Sequence, residues 1–158
     1  MRFSLAALSA VVALTPLAAA VGSAIVENQC EDTVYLWSVG GSMGDRQDIK
    51  SGGVYSEELH HDTVTGGIAL KITTTKDGLF DGSPQLNYAY TLTEDDKRVF
   101  YDLSSVFGNA FEGHALIVEP TKEGCGVIDW PNGTPPGGSQ VKDCASSADV
   151  RLTLCHDE

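Results

Sequence analysis

Hydrophobic and polar residues alternate with a period of two along most of the chain beyond residue 20, and no long stretch repeats with the 3.6-residue period of a helix. Ile68, Leu70 and Ile72 alternate with Ala69, Lys71 and Thr73, which predicts a half-buried strand. Val150, Leu152 and Leu154 alternate in the same way with Arg151 and Thr153 near the C-terminal end. The short apolar runs Ala24-Ile25-Val26 and Val34-Tyr35-Leu36-Trp37, separated by a polar turn, predict two more strands. Leu86 to Leu92, rich in Tyr and Leu and stopped by Thr93-Glu94-Asp95-Asp96, Val99-Phe100-Tyr101 and Ala115-Leu116-Ile117-Val118 complete the set. From Glu119 to Ala148, Pro120, Pro131, Pro135, Pro136 and Gly137-Gly138 predict one long loop without regular structure. Several short strands punctuated by Gly, Asp and Ser predict an all-β protein, an antiparallel β-sandwich or barrel. No internal repeat, low-complexity tract or second domain is visible.

The first twenty residues read differently. Arg2 is followed by an almost wholly apolar run from Phe3 to Leu17 and then by Ala18-Ala19-Ala20, the pattern of an export signal cut after Ala20. The apolar run is shorter than the ~20 residues of a spanning helix, and no later stretch is apolar enough to span. The ending Cys155-His156-Asp157-Glu158 lacks a hydrophobic anchor tail and stops one Leu short of a retention signal. The expectation is a signal peptide at 1–20 and a single secreted domain at 21–158, without a membrane span.

The formal net charge of the whole chain is −12, and removing Arg2 with the leader makes it more negative. Such a surface repels nucleic acid and anionic membranes and tolerates neutral partners, although excess acid also serves simple solubility. The four cysteines, Cys30, Cys125, Cys144 and Cys155, form an even set in a chain expected to reach an oxidising compartment, which predicts two disulfides. Three pairings are open; the one preferred joins the ends of the domain through Cys30–Cys155 and closes the Gly/Pro-rich loop through Cys125–Cys144. A zinc site competes poorly, because no C-x-x-C pair exists and His60, His61, His114 and His156 are not at finger spacing.

Candidate chemistry is sparse. Adjacent residues on a strand face opposite ways, so His60-His61-Asp62 is a poor chelator and reads as a surface loop. Asp45 and Asp48 lack the dense oxygen spacing of a calcium loop, and no metal or cofactor is expected. No nucleophile elbow, zinc-protease motif or phosphate loop occurs. Asp102, after Val99-Phe100-Tyr101 and before what reads as a small polar turn, is the most specific acidic candidate; its plainer role is to hydrogen-bond that turn. Asn132-Gly133-Thr134 is a glycosylation sequon, with Pro135 restricting the residue before it. Trp130 beside it is a candidate platform for sugar stacking, whereas Trp37 reads as core.

Two segments resemble the thaumatin-like proteins. One is Ala24-Ile25-Val26-Glu27-Asn28-Gln29-Cys30 with Val34-Tyr35-Leu36-Trp37; the other is Ser83-Pro84-Gln85 through Tyr90-Thr91-Leu92 to Tyr101-Asp102-Leu103-Ser104-Ser105-Val106-Phe107-Gly108. The whole stretch after the leader resembles the fungal yeast-phase-specific (Bys) family, through Val34 to Val39, Phe100-Tyr101-Asp102-Leu103-Ser104, Trp130-Pro131-Asn132-Gly133-Thr134-Pro135-Pro136-Gly137-Gly138-Ser139-Gln140 and Ser147-Ala148-Asp149-Val150 to Leu154-Cys155. The resemblance implies a β-sandwich with its first and last cysteines joined, in support of Cys30–Cys155. It also implies a fungal secreted protein, often cell-surface associated or antigenic. Thaumatin-like proteins bind, and some hydrolyse, β-1,3-glucan through an acidic cleft. Asp102 matches one acid of that cleft, while Ala89 stands where a Glu is expected on the preceding strand and Phe107 where an Asp is expected before Gly108. The resulting expectation is a monomeric, non-catalytic protein that binds a neutral cell-wall polysaccharide (β-glucan or chitin) or another extracellular partner, through Asp102 as hydrogen-bond acceptor and Trp130 as platform. The rivals are a weak endo-β-1,3-glucanase using Asp102, and a surface antigen without a specific ligand in which Trp130 packs on its own loop.

Overall fold

The structure, a computed structural model, describes residues 20–156. The expected signal peptide therefore lies, apart from Ala20, outside the described residues. Eleven strands follow in order: β1 (Ser23–Asn28), β2 (Val34–Val39), β3 (Gln47–Ile49), β4 (Val54–Glu58), β5 (Ile68–Thr73), β6 (Gln85–Leu92), β7 (Arg98–Val106), β8 (Leu116–Pro120), β9 (Ile128–Trp130), β10 (Lys142–Ala145) and β11 (Val150–Leu154). They form a five-stranded sheet, β4-β1-β11-β8-β9, and a six-stranded sheet, β10-β7-β6-β5-β2-β3. No described residue is in a helix.

The alternation in the sequence sets the faces. Ala24, Val26, Val150, Leu152, Leu116 and Val118 line the inside of the smaller sheet; Leu70, Ile72, Leu86, Tyr88, Val99 and Leu103 line the inside of the larger one, and all are buried. Each fully buried aliphatic side chain contributes about 1.5–3 kcal/mol of transfer free energy, so this shared layer holds the sandwich together. Tyr88 spans it, donating its buried hydroxyl to the Val150 carbonyl at 2.9 Å.

Sheet pairings are antiparallel except that of β1 with β11, which run parallel from Ala24↔Val150 to Asn28↔Leu154. That pair brings the two strand ends to the same edge, where Cys30 is bonded to Cys155 with the Cα atoms 5.0 Å apart. Asn28 fixes the turn that delivers Cys30. Its fully buried amide donates to the Asp32 and Ile49 carbonyls, and its side-chain oxygen accepts the Cys30 N–H. Cys125 is bonded to Cys144.

Three expectations are corrected. The stretch 119–148 is not wholly irregular: β9 and β10 lie inside it, β9 paired to β8 and β10 paired to β7 and pinned by Cys144. Short strands between prolines need no periodicity of their own when a neighbouring strand and a disulfide set their register. The edge strands β3 and β4 also escape the sequence reading. In β4 the inward positions are Tyr55 and Glu57, so apolar alternation is absent, and Glu57 is accommodated by hydroxyls of Tyr55 and Tyr90, both at 2.6 Å. Finally, no turn follows Asp102. β7 runs on to Val106, because Ser104 and Ser105 continue the ladder against Asn87 and Leu86 of β6, and the chain turns at Phe107-Gly108, both at positive φ.

Candidate functional site

Asp102 lies in the middle of β7 on the outer face of the six-stranded sheet, between inward-facing Tyr101 and Leu103. The register places it in a row Asp102–Ala89–Ala69–Val39 across β7, β6, β5 and β2. The next row along is Ser104–Asn87–Lys71–Trp37. Two alanines beside the carboxylate keep the floor of this face low, and longer polar side chains stand next to it. Trp37 is on the outer face yet only 3 % exposed, because Phe80 covers it edge-on at a centroid distance of 6.1 Å. Phe80 comes from the segment between β5 and β6, which folds back over the sheet; the Gln85 amide reaches the Gly78 and Leu79 carbonyls at 3.4 Å.

The electrostatics of this strip are unusual for their lack of partners. Asp102 is half-buried, and burial alone pushes its carboxyl above the usual aspartate range. The Asn87 side-chain oxygen is shielded from solvent and has no hydrogen-bond partner among the described residues. In the row on the other side, Phe100 faces Thr91 on β6 and Asp143 on β10, and the Asp143 carboxylate is paired with Arg98. The residue directly across β6 from Asp102 is Ala89, so no carboxylate opposes it there.

The structure does not bring the second candidate to this face. Trp130 ends β9 on the other sheet, is 0 % exposed, and donates its indole N–H to the Gln140 side chain at 3.0 Å. A ring with no free face cannot serve as a stacking platform, which corrects the role expected for it. Asn132 sits just beyond, exposed in a turn closed by the Gly133 N–H on the Trp130 carbonyl. Gly133 is required at that turn: φ is +64°, and a Cβ would lie 1.8 Å from the Phe111 carbonyl oxygen.

The remaining candidates serve the scaffold. His60 bonds the Glu58 carbonyl and the Tyr90 hydroxyl through Nδ1, and His61 Nδ1 contacts the Leu92 carbonyl. Asp62 accepts N–H bonds from Thr65, Gly41 and Val64 and the Thr65 hydroxyl, which hold its carboxyl well below the usual range and tie two loops together. Asp48 pairs with Arg46, which also stacks on Tyr35. Among the described residues no group of three or more His, Cys, Asp or Glu side chains is arranged to hold a metal, and no helix is long and apolar enough to cross a membrane.

A cleft of about 780 Å³ opens at the Cys30–Cys155 end between the β1–β2 turn and Phe111, and neither Asp102 nor Trp130 lines it. Its acidic groups, Glu31 and Asp32, are exposed and already hydrated. Volume alone therefore favours this cleft, whereas unmet hydrogen-bonding capacity favours the Asp102 strip. A half-desolvated carboxylate gains more from a hydrogen-bond donor than a fully hydrated one.

The two-sheet all-β sandwich tied end to end by a disulfide is the thaumatin-like fold. The crystal structure of the protein elicitor MoHrip2 from Magnaporthe oryzae matches with a TM-score of 0.70 at 26% identity, over 85% of this chain and 99% of that one. The thaumatin-like xylanase inhibitor TLXI matches with a TM-score of 0.57 over 84% and 98%; at 11% identity the likeness is one of fold. The chain belongs to the Bys1 family, described as Blastomyces yeast-phase-specific protein, which residues 11–156 match. The antigenic thaumatin-like protein of Arthroderma benhamiae is 31% identical over 162 residues, covering 94% of this chain and 80% of that protein. The secreted thaumatin-like protein calA of Emericella nidulans is 29% identical over 167 residues, covering 96% and 94%.

Proposed function

We propose that residues 21–158 form one extracellular thaumatin-like domain, exported behind the leader at 1–20, that binds a neutral cell-wall polysaccharide, β-glucan or chitin, without cleaving it. The observation that carries this reading is a polar strip on the outer sheet face: the half-buried Asp102 carboxylate, raised by burial alone among the described residues, beside Asn87, whose side-chain oxygen has no partner among them. Sugar hydroxyls can donate to the accessible side of the Asp102 carboxylate, and hydrogen bonds to a charged acceptor are the stronger kind. The net charge of −12 disfavours polyanions and leaves neutral polymers unopposed. Glycoside hydrolysis ordinarily needs a second free carboxyl facing the first across the scissile bond; β6 offers Ala89 opposite Asp102, and the Asp143 carboxylate on β10 is engaged by Arg98.

A pull-down against insoluble β-glucan and chitin tests the reading. Wild type should pellet with at least one polymer at moderate salt, and Asp102→Ala should pellet less. Wild type remaining in the supernatant with both would reject it in favour of a surface protein without a sugar ligand. Reducing ends released from laminarin, and lost on Asp102→Asn, would instead establish a glucanase. Asn132, exposed in its turn, is proposed as the glycan acceptor; an endoglycosidase should shift the mobility of secreted wild type and leave Asn132→Gln unchanged.

A further inference from the structure

With Trp130 sealed in the other sheet, the binding face needs another aromatic contact, and two exposed rings flank the Asp102 strip. Phe100 is two residues before Asp102 on the same face of β7, about 7 Å away along the strand, and 41 % of it is exposed. Phe80 is 68 % exposed and stands on Trp37, at the β2 end of the row that contains Asn87 and Lys71. β7 and β2 are separated by three strand spacings, about 14 Å. Between the rings lie Ala89 and Ala69, the smallest side chains on the face, with Asp102, Ser104, Asn87 and Lys71 alongside.

We infer that Phe100 and Phe80 are the two aromatic posts of an extended trough that holds a neutral oligosaccharide chain running across the strands. One pyranose face stacks on Phe100 and a later one on Phe80, while the hydroxyls between them meet Asp102, Ser104 and Lys71 over the alanine floor. This rests on the polysaccharide reading above and specifies how many sugars the site takes: a chain long enough to touch both posts, not a single sugar. The rings are held ready for the purpose. Phe80 is braced edge-on by a buried Trp37, and Phe100 is flanked by the Arg98–Asp143 pair, whose charges neutralise each other. Pre-placed rings lose little freedom on binding, so exposed phenylalanines at these positions favour a flat ligand face over a charged one.

The test uses the full secreted protein and soluble β-glucan or chitin oligosaccharides of increasing length, with affinity read by titration calorimetry. Binding should strengthen steeply with length until both posts are engaged and then level off. Phe100→Ala and Phe80→Ala should each weaken binding of the longest oligosaccharide roughly three- to tenfold, the range expected for one stacking contact, with recovery in Phe100→Trp and Phe80→Tyr. Val54→Ala, at an exposed apolar residue on β4 of the other sheet, should bind like wild type. If Asp102→Ala weakens binding while both phenylalanine variants match wild type, the posts are wrong and the polysaccharide reading stands. Affinity independent of length also overturns the trough. If wild type binds no member of either series, the underlying reading fails and the trough with it. Circular dichroism of each variant separates lost contacts from lost folding.

Discussion

Asp102 and Trp130 are the two residues whose type and position most invite a role in binding, and the fold treats them in opposite ways. Trp130 is wholly enclosed and its one polar atom is satisfied by Gln140. Asp102 is half-buried, with alanine for its cross-strand neighbour on β6. One region is finished as structure, and the other is left with capacity that only something outside the chain can use. A tryptophan in a stretch of prolines and glycines suggests a mobile, exposed ring, but such stretches are anchored somewhere, and here the large ring is the anchor. An aspartate within a strand suggests a fully solvated outer face, but this one is half-buried.

The largest expected effect tests the structural side of that contrast. Trp130→Ala should lower unfolding free energy by about 3–5 kcal/mol, the cost of emptying a large aromatic site, seen as a clear fall in the denaturant midpoint. A loss below about 1 kcal/mol would mean the ring is not core. Removing the Cys125–Cys144 bond by Cys125→Ser with Cys144→Ser frees the segment that carries both Trp130 and Gln140. For a sequence separation of 19 the expected loss is about 3 kcal/mol by chain entropy. Gln140→Ala leaves the indole N–H without its partner and should cost about 1–2 kcal/mol. At temperatures where they stay folded, Trp130→Ala and Gln140→Ala should not weaken polysaccharide binding; a proportional loss of binding would tie the two regions together and break the contrast.

The central strands are legible because burial on one face imposes alternation: Ile68, Leu70, Ile72 and Val150, Leu152, Leu154 all point inward as their spacing predicts. The edges are not legible for a reason of the same kind. β3 and β4 border only one strand, expose Gln47, Asp48, Val54, Ser56 and Glu58, and bear inward groups such as Glu57 whose compensation lies far away at Tyr90. The parallel pairing of β1 with β11 is invisible in either segment alone, since it joins the first strand to the last. Asp102 itself is picked out by local pattern and family resemblance. Its surroundings are not, because Ala89, Asn87, Lys71 and Trp37 come together only through three strand registers. The role of Phe80 depends on how the segment after β5 folds over Trp37, which no spacing in that segment encodes.

The smallest expected effect is also the sharpest test of the unsatisfied side. Burial raises the Asp102 carboxyl in the folded state above its unfolded value, near 3.9. Between those two values the native state holds more protons than the unfolded one, so stability falls as pH rises through the window. Below the window the carboxyl is protonated in both states and the penalty is absent; above it the penalty is complete. Asn has the shape of the protonated acid and never ionises. Asp102→Asn should therefore be slightly more stable than wild type at pH 7, by a fraction of a kcal/mol because solvent still screens a half-exposed group, and the gain should vanish at about pH 3. Asp62 supplies the control of opposite sign. Its carboxyl is held below the unfolded value by N–H and hydroxyl donors, so it stabilises the fold above that value and loses this as pH falls through the folded one. Asp62→Asn should be destabilised at pH 7, and its gap to wild type should begin to narrow only as pH falls below about 4, the end of the range at which the Asp102→Asn gap closes. Urea midpoints for the three proteins between pH 3 and pH 7 decide it. An Asp102→Asn curve parallel to wild type would show that the carboxylate has a compensating partner in the folded protein, and the Asp102 strip would then be as finished as the Trp130 corner.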